Sequence, residues 1–237
     1  DVHSHILPGV DDGAVNQEES LAMLKIASAE GITDIVATPH FQEGKPSATP
    51  EEIAESVRTV QAAAEKHGIP VRLYPGNEIL YFNGLPQCLR EGRVCTLNRS
   101  QYVLIEFLPN VQFRNMQNAA ENILTAGYIP VLAHAERYMC LVQNREYLEF
   151  FRDIGVRIQM NAGSMIGKSG SEVRHFVREI LKTGLVDYIG TDAHGSRHRR
   201  PEIAKCEETL IKKYGQIYAE AILRDNAAQT LGIAYLR

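Results

Sequence analysis

Short apolar runs recur along the chain, and longer segments of helical periodicity separate them. Seven runs predict β-strands because they are rich in β-branched and aliphatic residues: VHSH, TDIVATPH, PVRLYPGNE, YVLIEF, IPVLAHAE, VRIQMNAG and DYIGTDAH. Most of them are nearly continuous in apolar residues instead of alternating with polar ones. Such strands are typical of a parallel sheet that is buried on both faces.

The segments between these runs predict helices, and two of them carry clear start signals. The first extends from Asn16 to Glu30 and opens on an Asn-x-x-Glu capping box. The second opens on Thr49-Pro50-Glu51-Glu52, ends at Gly68 and presents one apolar face, formed by Ile53, Val57, Val60 and Ala64. Further helices are predicted near residues 115–126, 144–154, 171–183 and 201–231, the last with a break at Gly215, and an irregular loop is predicted over residues 42–49.

Strands that alternate with helices predict right-handed βαβ units around a parallel sheet. The chain has 237 residues, of which 44% are hydrophobic, and this is enough to form one large core. No internal repeat, low-complexity tract or linker divides the sequence. We therefore expect an α/β fold in a single domain over residues 1–237, closed or nearly closed into a βα barrel.

Charge and composition exclude several classes of protein. The formal net charge of −4 offers no general attraction for nucleic acid or for an anionic membrane surface. No stretch of about 18 consecutive apolar residues is present, and no apolar run of a signal peptide opens the chain. The cysteines lack CxxC spacing and are sparse, which predicts reduced thiols in a cytoplasmic protein without direct membrane insertion; they are Cys88, Cys95, Cys140 and Cys206.

Polar residues that can bind metal ions follow the ends of the predicted strands. In a βα barrel these carboxyl ends share one rim, where active sites are built. Two pairs, His-x-His and Asp-x-His, lie nearly at opposite ends of the sequence, and only a closed fold would bring them together. Nine candidate ligands are gathered in this way, with Asp11 as an alternative to Asp12: His3, His5, Asp12, His40, Glu78, Glu106, His134, Asp192 and His194.

A single histidine is more often an ordinary polar residue than a ligand, and we assign His67, His175 and His198 to that class. The other set is different, because four carboxylates gathered in one buried place repel one another strongly unless cations accompany them. Imidazole and carboxylate groups without thiolate suit Mn²⁺, Fe²⁺ or Zn²⁺. The set is too large for one ion and suffices for two or three that share Glu78. Such a centre is positively charged and predicts an anionic substrate, most simply a phosphate ester.

With these residues assigned, the chain resembles the PHP (polymerase and histidinol phosphatase) superfamily over essentially its whole length. More narrowly, it resembles the manganese-dependent protein-tyrosine phosphatases encoded with bacterial capsule and exopolysaccharide synthesis, in the segments HSHILPGVDDGA, ATPHF, GNEI, LIEF, LAHAERY and TDAHGSRHRRP. The resemblance implies a distorted seven-stranded (βα)7 barrel, similar to a TIM barrel, with three metal ions on its rim. Many superfamily members have histidine in place of Glu106, and histidinol phosphatases tend to have histidine in place of Asp12. Both differences favour the tyrosine-phosphatase branch.

The resemblance also implies how the ions would be held. The first ion would be bound by His3, His5, Glu78 and Asp192, the second by Glu78, Glu106 and His134, and the third by Asp12, His40 and His194. Manganese is the expected metal, and iron, magnesium or zinc are alternatives. The implied reaction is metal-assisted hydrolysis, in which hydroxide attacks phosphorus in line and no covalent phospho-enzyme forms.

Other residues near the same strand ends have expected roles in this reaction. Arg137 and Arg199 are close enough in sequence to the rim to bind phosphate oxygens with their guanidinium groups. Asp12 is a candidate acid for the departing phenolate, whereas Arg197 and Arg200 fit a solvated basic loop. No cysteine is followed six positions later by arginine, so the Cys-x5-Arg loop of cysteine-dependent tyrosine phosphatases is absent.

The resemblance implies that the substrate is the tyrosine-rich carboxyl-terminal tail of a membrane-associated bacterial tyrosine autokinase. Three alternatives stay open at this point. One is a small-molecule phosphatase of the histidinol-phosphate type, the second is a PHP nuclease, and the third is a metal-binding protein without catalytic activity. The nuclease is disfavoured because the chain has no basic stripe for a nucleic acid beyond the cluster SRHRR.

Overall fold

The computed structural model describes residues 1–232, and its strands are all paired in parallel. Their order along the chain follows the predicted apolar runs after the first one. The strands are β1 Asp34–Ala37, β2 His40–Phe41, β3 Arg72–Pro75, β4 Glu78–Leu80, β5 Tyr102–Glu106, β6 Ile129–Leu132, β7 Arg157–Asn161 and β8 Tyr188–Gly190.

Helices connect these strands, as the alternating pattern predicted. The α-helices are α1 Gln17–Ala29, α2 Pro50–Lys66, α3 Leu85–Arg90, α4 Phe113–Thr125, α5 Met139–Gln143, α6 Glu146–Asp153, α7 Ala162–Ile166, α8 Ser171–Leu181, α9 Ala204–Tyr214, α10 Gln216–Glu220 and α11 Asn226–Leu231. Short 3₁₀ turns occur at Leu97–Arg99 and Ala135–Arg137, and a π-helical turn occurs at Ala221–Asp225. None of the helices among the described residues combines the length and the apolar composition that a membrane crossing requires.

The two helices with start signals form where they were predicted. The Thr49 hydroxyl accepts from the Glu52 backbone N–H, and the Glu52 carboxylate accepts from the Thr49 backbone N–H, so the capping box of α2 is complete. Asn16 caps α1 in the same way. The Glu19 side chain, however, does not accept from the Asn16 backbone N–H. It accepts hydrogen bonds from the backbone N–H and the hydroxyl of Ser196 instead. The predicted box at α1 is therefore only half formed, and Glu19 instead ties α1 to the loop after β8.

The predicted break in the last helical segment is confirmed at Gly215, which has a positive φ of 90° and separates α9 from α10. Residues 42–49 form no regular element, as expected. The short helices α3, α5 and α7 were not predicted. Each of them has only five or six residues. A helix of that length does not show a full period of apolar positions and gives little signal.

The strand pairings differ from the predicted seven-stranded count. Six strands form one curled sheet in the order β2-β4-β5-β6-β7-β8, and β1 pairs with β3 in a separate two-stranded sheet. The second run is divided because Pro39 has no backbone N–H with which to continue the ladder. Side chains form the hydrogen bonds at this point. Asn77 donates to the Pro39 carbonyl, and the Thr38 hydroxyl accepts from the Ser4 backbone N–H.

The predicted first strand, VHSH, is reduced to one bridging residue, Ser4. Ser4 bridges in parallel to Ala37 on one side and to Ala193 on the other. Backbone hydrogen bonds extend this contact from His5 to Ala193 at 2.8 Å and from Thr38 to Ser4 at 2.9 Å. The amino-terminal segment therefore lies between β1 and the end of β8 and joins the first part of the fold to the last.

The core has two parts that correspond to the two faces of the sheet. A large cluster packs the helices against the outer face and includes Val103 and Ile105 of β5. A smaller cluster gathers side chains from several strands, among them Tyr102 and Leu104 of the same strand. Because side chains alternate along a strand, Glu106 points to the same side as Tyr102 and Leu104. The candidate ligand thus stands at the end of the inner, smaller cluster.

Candidate metal centre

The structure brings all nine predicted ligands together at the carboxyl ends of the strands. Glu78 is at their centre and is almost completely buried, with 1% of its side chain exposed. Its Oε2 lies 3.0 Å from His3 Nε2, 3.1 Å from His5 Nε2 and 3.2 Å from His40 Nδ1, and its Oε1 lies 2.8 Å from His134 Nε2. One carboxylate therefore faces four imidazole rings that come from three separate parts of the chain.

Three groups of side chains have ligand atoms close enough to share an ion. They are His3, His5, Glu78 and Asp192; His40, Glu78 and Glu106; and His5, Asp12, His40 and His194, with all ligand atoms of each group within 4.8 Å of one another. This grouping follows the predicted partition with two additions and one omission, since His134 is not a member of the second group. His5 also reaches the third group, and His40 Nδ1 lies 3.3 Å from Glu106 Oε1 in the second. His134 lies beside the second group, with its Nε2 3.7 Å from Glu106 Oε2.

The spacing and chemistry of these donors fit divalent ions. Two ligand atoms that each lie about 2.1 Å from one ion are about 3 Å apart when the angle between them at the ion is about 90°. His3 Nε2 and His5 Nε2 are 3.3 Å apart, each about as far from Glu78 Oε2. His194 Nε2 is buried and has no hydrogen-bond partner among the described residues, although Asp12 Oδ1 lies 3.4 Å away. Ring nitrogens directed at a common point, with an unpaired buried nitrogen nearby, are the arrangement that a metal site requires.

The electrostatics of the first group reflect opposite charges in a buried place. Burial by itself lowers the pKa of His3 and His5, but nearby carboxylates outweigh it. Glu78 and Asp192 raise the pKa of His3, and Asp11 and Glu78 raise the pKa of His5 to about 10. The imidazoles hold the pKa of Glu78 well below its ordinary value despite its burial. Without ions, protonated histidines therefore supply the positive charge that the carboxylates need.

Asp192 and His194 belong to the Asp-x-His pair but have different surroundings. Burial raises the pKa of Asp192, and the opposing charges of His3 and Arg137 lower it to a net value well below the ordinary one. Burial lowers the pKa of His194 to about 4, with the positive charges of His5 and Arg199 acting in the same direction. His194 is consequently neutral at physiological pH, which is the form that binds a metal ion.

Arg137 and Arg199, which were predicted to bind phosphate oxygens, both reach the centre through Asp192. Arg137 Nη2 lies 2.6 Å from Asp192 Oδ2, and Arg199 Nη2 lies 2.6 Å from Asp192 Oδ1. The two guanidinium groups are partly exposed, at 41% and 43%, whereas the carboxylate is buried. Each arginine contacts Asp192 through one of its nitrogens, so its other N–H donors stay available on the exposed side of the site.

Asp11 and Asp12 occupy different places, and this resolves the alternative between them. Asp12 reaches the third group from the surface, with 67% of its side chain exposed. Asp11 instead holds the His5 ring, with Oδ2 2.6 Å from Nδ1, and accepts from the backbone N–H groups of Gly13 and His40. A carboxylate on the far nitrogen of a ligand histidine fixes the orientation of its ring.

Gly13 allows the loop that carries both aspartates to lie against His5. A Cβ atom at Gly13 would come within 2.1 Å of the His5 carbonyl oxygen and 2.6 Å of its Cβ. We expect Gly13→Ala to lower the free energy of unfolding by about 2–3 kcal/mol, because backbone atoms cannot yield as a flexible side chain can. The corresponding fall in the melting temperature is about 5–10 °C, measured by circular dichroism.

Gly163→Ala is the matched control for this change. Its Cβ would meet only the Lys168 side chain, at 3.3 Å, and a lysine can move aside. We expect its melting temperature to stay close to that of the unchanged protein. If both variants melt at the same temperature, the close contact between Gly13 and His5 does not limit the stability of the fold.

Gln159 and Asn161 support the site and were not predicted. The Gln159 Oε1 atom accepts from the backbone N–H of His134 at 2.7 Å and lies 3.2 Å from His3 Nδ1. Asn161 Nδ2 donates to Asp192 Oδ2 at 2.8 Å. These residues alternate along β7, so polar residues at two positions of one face, in an otherwise apolar run, were the available signal.

Two candidate ligands have a backbone conformation that non-glycine residues rarely adopt. His134 has φ 32°, and Asp192 has φ 52°. Such conformations cost about 1–3 kcal/mol each and persist where the surrounding structure imposes them. They occur here two residues after β6 and β8, where the chain turns to place His134 beside Glu78 and Asp192 beside His3.

The residues excluded as ligands lie elsewhere. His67 forms the carboxyl-terminal cap of α2, with its Nδ1 2.8 Å from the Ala63 carbonyl oxygen, and none of the groups above includes His175 or His198. Arg200 pairs with Glu202 at 3.3 Å. The four cysteines are free thiols.

Comparison with known proteins links the described fold to one family. Residues 1–232 match the family model described as capsular polysaccharide synthesis, CpsB/CapC. The chain is 31% identical over 215 residues to the tyrosine-protein phosphatase YwqE of Bacillus subtilis, covering 91% of this chain and 85% of that protein. It is 32% identical over 231 residues to the tyrosine-protein phosphatase CpsB of Streptococcus pneumoniae, covering 95% of each chain.

A solved structure is similar over the same length. It comes from the crystal structures of YwqE from Bacillus subtilis and CpsB from Streptococcus pneumoniae, described as unique metal-dependent tyrosine phosphatases. The TM-score is 0.92 and the sequence identity is 28%, and the match covers 100% of this chain and 96% of that chain.

Proposed function

Because the chain belongs to the CpsB/CapC family of capsular polysaccharide synthesis, we propose that it is a metal-dependent protein-tyrosine phosphatase acting in that process. The observation that carries this proposal is the gathering of the nine predicted ligands around the buried Glu78 carboxylate. The reaction is the hydrolysis of a phosphoric monoester, and its product is free tyrosine hydroxyl on a protein.

We assign three ions to the site, with manganese as the metal. Their ligands are His3, His5, Glu78 and Asp192 for the first, Glu78, Glu106 and His134 for the second, and Asp12, His40 and His194 for the third. The proximity of His5 to the third group and of His40 to the second supports a compact cluster in place of separate sites. When bound, divalent ions supply an activated water as nucleophile and positive charge for the phosphate oxygens.

The chain's own groups bind and orient the ester. Arg137 and Arg199 stand at the mouth of the site with donors that Asp192 does not use, and guanidinium groups match phosphate oxygens in geometry and charge. Asp12 is the most exposed of the nine side chains, so it can reach a leaving group from the solvent side. We assign it the relay of a proton from solvent water to the departing phenolate, because a carboxylate that binds a metal ion holds no proton of its own.

A covalent intermediate on cysteine finds no support in this fold. Burial raises the pKa of Cys206 to about 12 and that of Cys95 to about 11, so both thiols stay protonated at neutral pH. A protonated thiol is a poor nucleophile. None of the ligand groups among the described residues contains a cysteine.

We interpret the fold as a distorted seven-stranded (βα)7 barrel. The divided runs β1–β2 and β3–β4 each count as one position, and the segment at Ser4 closes the ring between β1 and β8. The substrate we propose is a phosphotyrosine tail of a membrane-associated bacterial tyrosine kinase. An open rim at the strand ends can admit a flexible segment of this kind.

Replacement of Arg137 or Arg199 tests the phosphate contact that we assign to them. We expect Arg137→Ala and Arg199→Ala each to lower kcat/KM by about 10- to 100-fold, because a hydrogen bond to a charged group is lost. The measurement is steady-state hydrolysis of a phosphotyrosine peptide with manganese present. Arg200→Ala is the control, since Arg200 pairs with Glu202 instead, and wild-type kinetics for all three variants would contradict the assignment.

A panel of phosphate esters tests the function itself. The purified protein with manganese should release phosphate from a phosphotyrosine peptide at least about tenfold more efficiently than from a phosphoserine peptide, since phenolate leaves more readily than alkoxide. Histidinol phosphate should also be a poor substrate. A preference for histidinol phosphate would instead identify a small-molecule phosphatase, and hydrolysis of single-stranded DNA with strong salt dependence would identify a nuclease.

A further inference from the structure

A wide groove opens beside the metal centre, on the side of β4 and β5. It has a volume of about 1,110 Å³ and begins where the segments that carry Glu78 and Glu106 end. Leu80, two residues after Glu78, is paired in register with Glu106. Phe107 directly follows Glu106, and both Leu80 and Phe107 line the groove. We call this feature the amide groove.

Uncharged residues dominate the amide groove. Among its lining residues Glu43 is the one that carries a charge, and no lysine or arginine is present. Aromatic rings line one part, with Tyr81 and Phe107 in contact at 5.6 Å between ring centres. Leu108 adds an apolar side chain that is 63% exposed. This surface has no obvious purpose in the fold, because a large apolar residue gains nothing from exposure to water.

Side-chain amides supply the polar part of the groove. Asn83, Asn110, Asn115 and Asn118 are exposed, and within residues 1–232 their side chains make no hydrogen bond. An amide side chain has both donors and an acceptor, which is the combination that matches a peptide backbone. Apolar anchors surrounded by such polar groups are typical of a surface that binds a polypeptide segment.

We propose that the amide groove binds the uncharged, extended segment that adjoins the phosphotyrosine of the substrate. The proposal rests on the proposed function and adds a specificity element to it. The metal centre and the two arginines take the charged phosphate, and the groove takes apolar or aromatic side chains and backbone amides next to it. Acidic flanking residues are disfavoured because the groove offers them no cation and one carboxylate.

Leu108→Asn removes the apolar contact without adding charge, and the exposed position allows the variant to fold. We expect the KM for a phosphotyrosine peptide with glycine, serine, leucine and phenylalanine flanks to rise about tenfold. The kcat/KM for p-nitrophenyl phosphate, which has no flanking segment, should stay unchanged. Ile217→Asn is the matched control, because Ile217 is 88% exposed on α10 and is not part of the groove.

A binding measurement separates recognition from chemistry. A fluorescent peptide of the same sequence, with a non-hydrolysable difluoromethylphosphonate in place of the phosphate, should bind Leu108→Asn about tenfold more weakly in fluorescence anisotropy. Replacement of its neutral flanks by glutamate should weaken binding to the unchanged protein.

Several results would overturn the proposal. They are an unchanged KM and anisotropy for Leu108→Asn, an equal loss with p-nitrophenyl phosphate, and stronger binding of the acidic peptide. If sedimentation shows a dimer that Leu108→Asn dissociates, the groove binds a second copy of the chain, and the proposal is also wrong. Failure of the proposed function gives a different result, namely no release of phosphate from any phosphotyrosine substrate by the unchanged protein.

Discussion

Glu78→Gln is expected to lower kcat/KM for a phosphotyrosine peptide by about a thousandfold or more, equivalent to at least about 4 kcal/mol of transition-state stabilisation. Glutamine keeps the shape of the side chain and removes its charge. Both Glu78 oxygens face imidazole nitrogens at 2.8–3.2 Å, so the carboxylate is shared between two of the ligand groups. A neutral amide would bind divalent ions more weakly than a carboxylate, so both ions that we assign to these groups would lose a ligand.

Metal content gives a second measurement of the same change. Elemental analysis after dialysis should find less bound metal per chain in Glu78→Gln than in the unchanged protein. Glu208→Gln, at an exposed position of α9, makes the same chemical change away from the site and serves as the control. Full activity in Glu78→Gln with normal metal content would contradict a bridging role for this residue.

Removal of the metal ions is expected to abolish activity, by about a thousandfold or more, while the fold persists. The fold should survive because protonated His3 and His5 can take over the charge balance of Glu78 and Asp192, as their raised pKa values indicate. The measurements are peptide hydrolysis and far-ultraviolet circular dichroism before and after dialysis against a chelator. Activity should return on addition of manganese.

The same pKa shifts give the sign of the pH dependence of metal binding. A metal ion needs the neutral imidazole, so it must displace the protons that His3 and His5 hold in the ion-free protein. Binding should therefore release protons at pH 7, and affinity should increase as the pH rises toward the pKa of about 10 for His5. Isothermal titration in two buffers of different ionisation enthalpy measures this release. Unfolding by the chelator, or binding without proton release, would contradict this picture.

Local sequence signals predicted the helices well where they act within a few residues. The capping box of α2 and its buried face of Ile53, Val57, Val60 and Ala64 follow from contacts inside one helix and its neighbouring strand. The amino-terminal strand, predicted over VHSH, was overestimated. Ser4 alone in this segment forms bridges, to residues 33 and 189 positions away, and such distant pairings leave no mark in a local pattern.

The candidate site was predictable because strand ends in a parallel fold converge, so residue type and position relative to a strand were enough. The supporting residues were harder to predict. Two adjacent aspartates look alike in sequence, and the loop backbone alone decides that Asp11 holds His5 while Asp12 faces the third group. Gln159 and Asn161 act through hydrogen bonds to residues far along the chain, and the sequence of one strand does not indicate which residues its polar side chains will contact.

The bridges of Ser4 to Ala37 and Ala193 affect the order in which the protein can fold during its synthesis on the ribosome. Asp192 and His194 lie nearly at the other end of the described chain from His3 and His5, so a nascent polypeptide cannot complete the first group until most of its length has emerged. Metal binding by the first group would have to wait until residue 192 has been synthesised. Partly synthesised chains would therefore carry the second group of candidate ligands before the first group is complete.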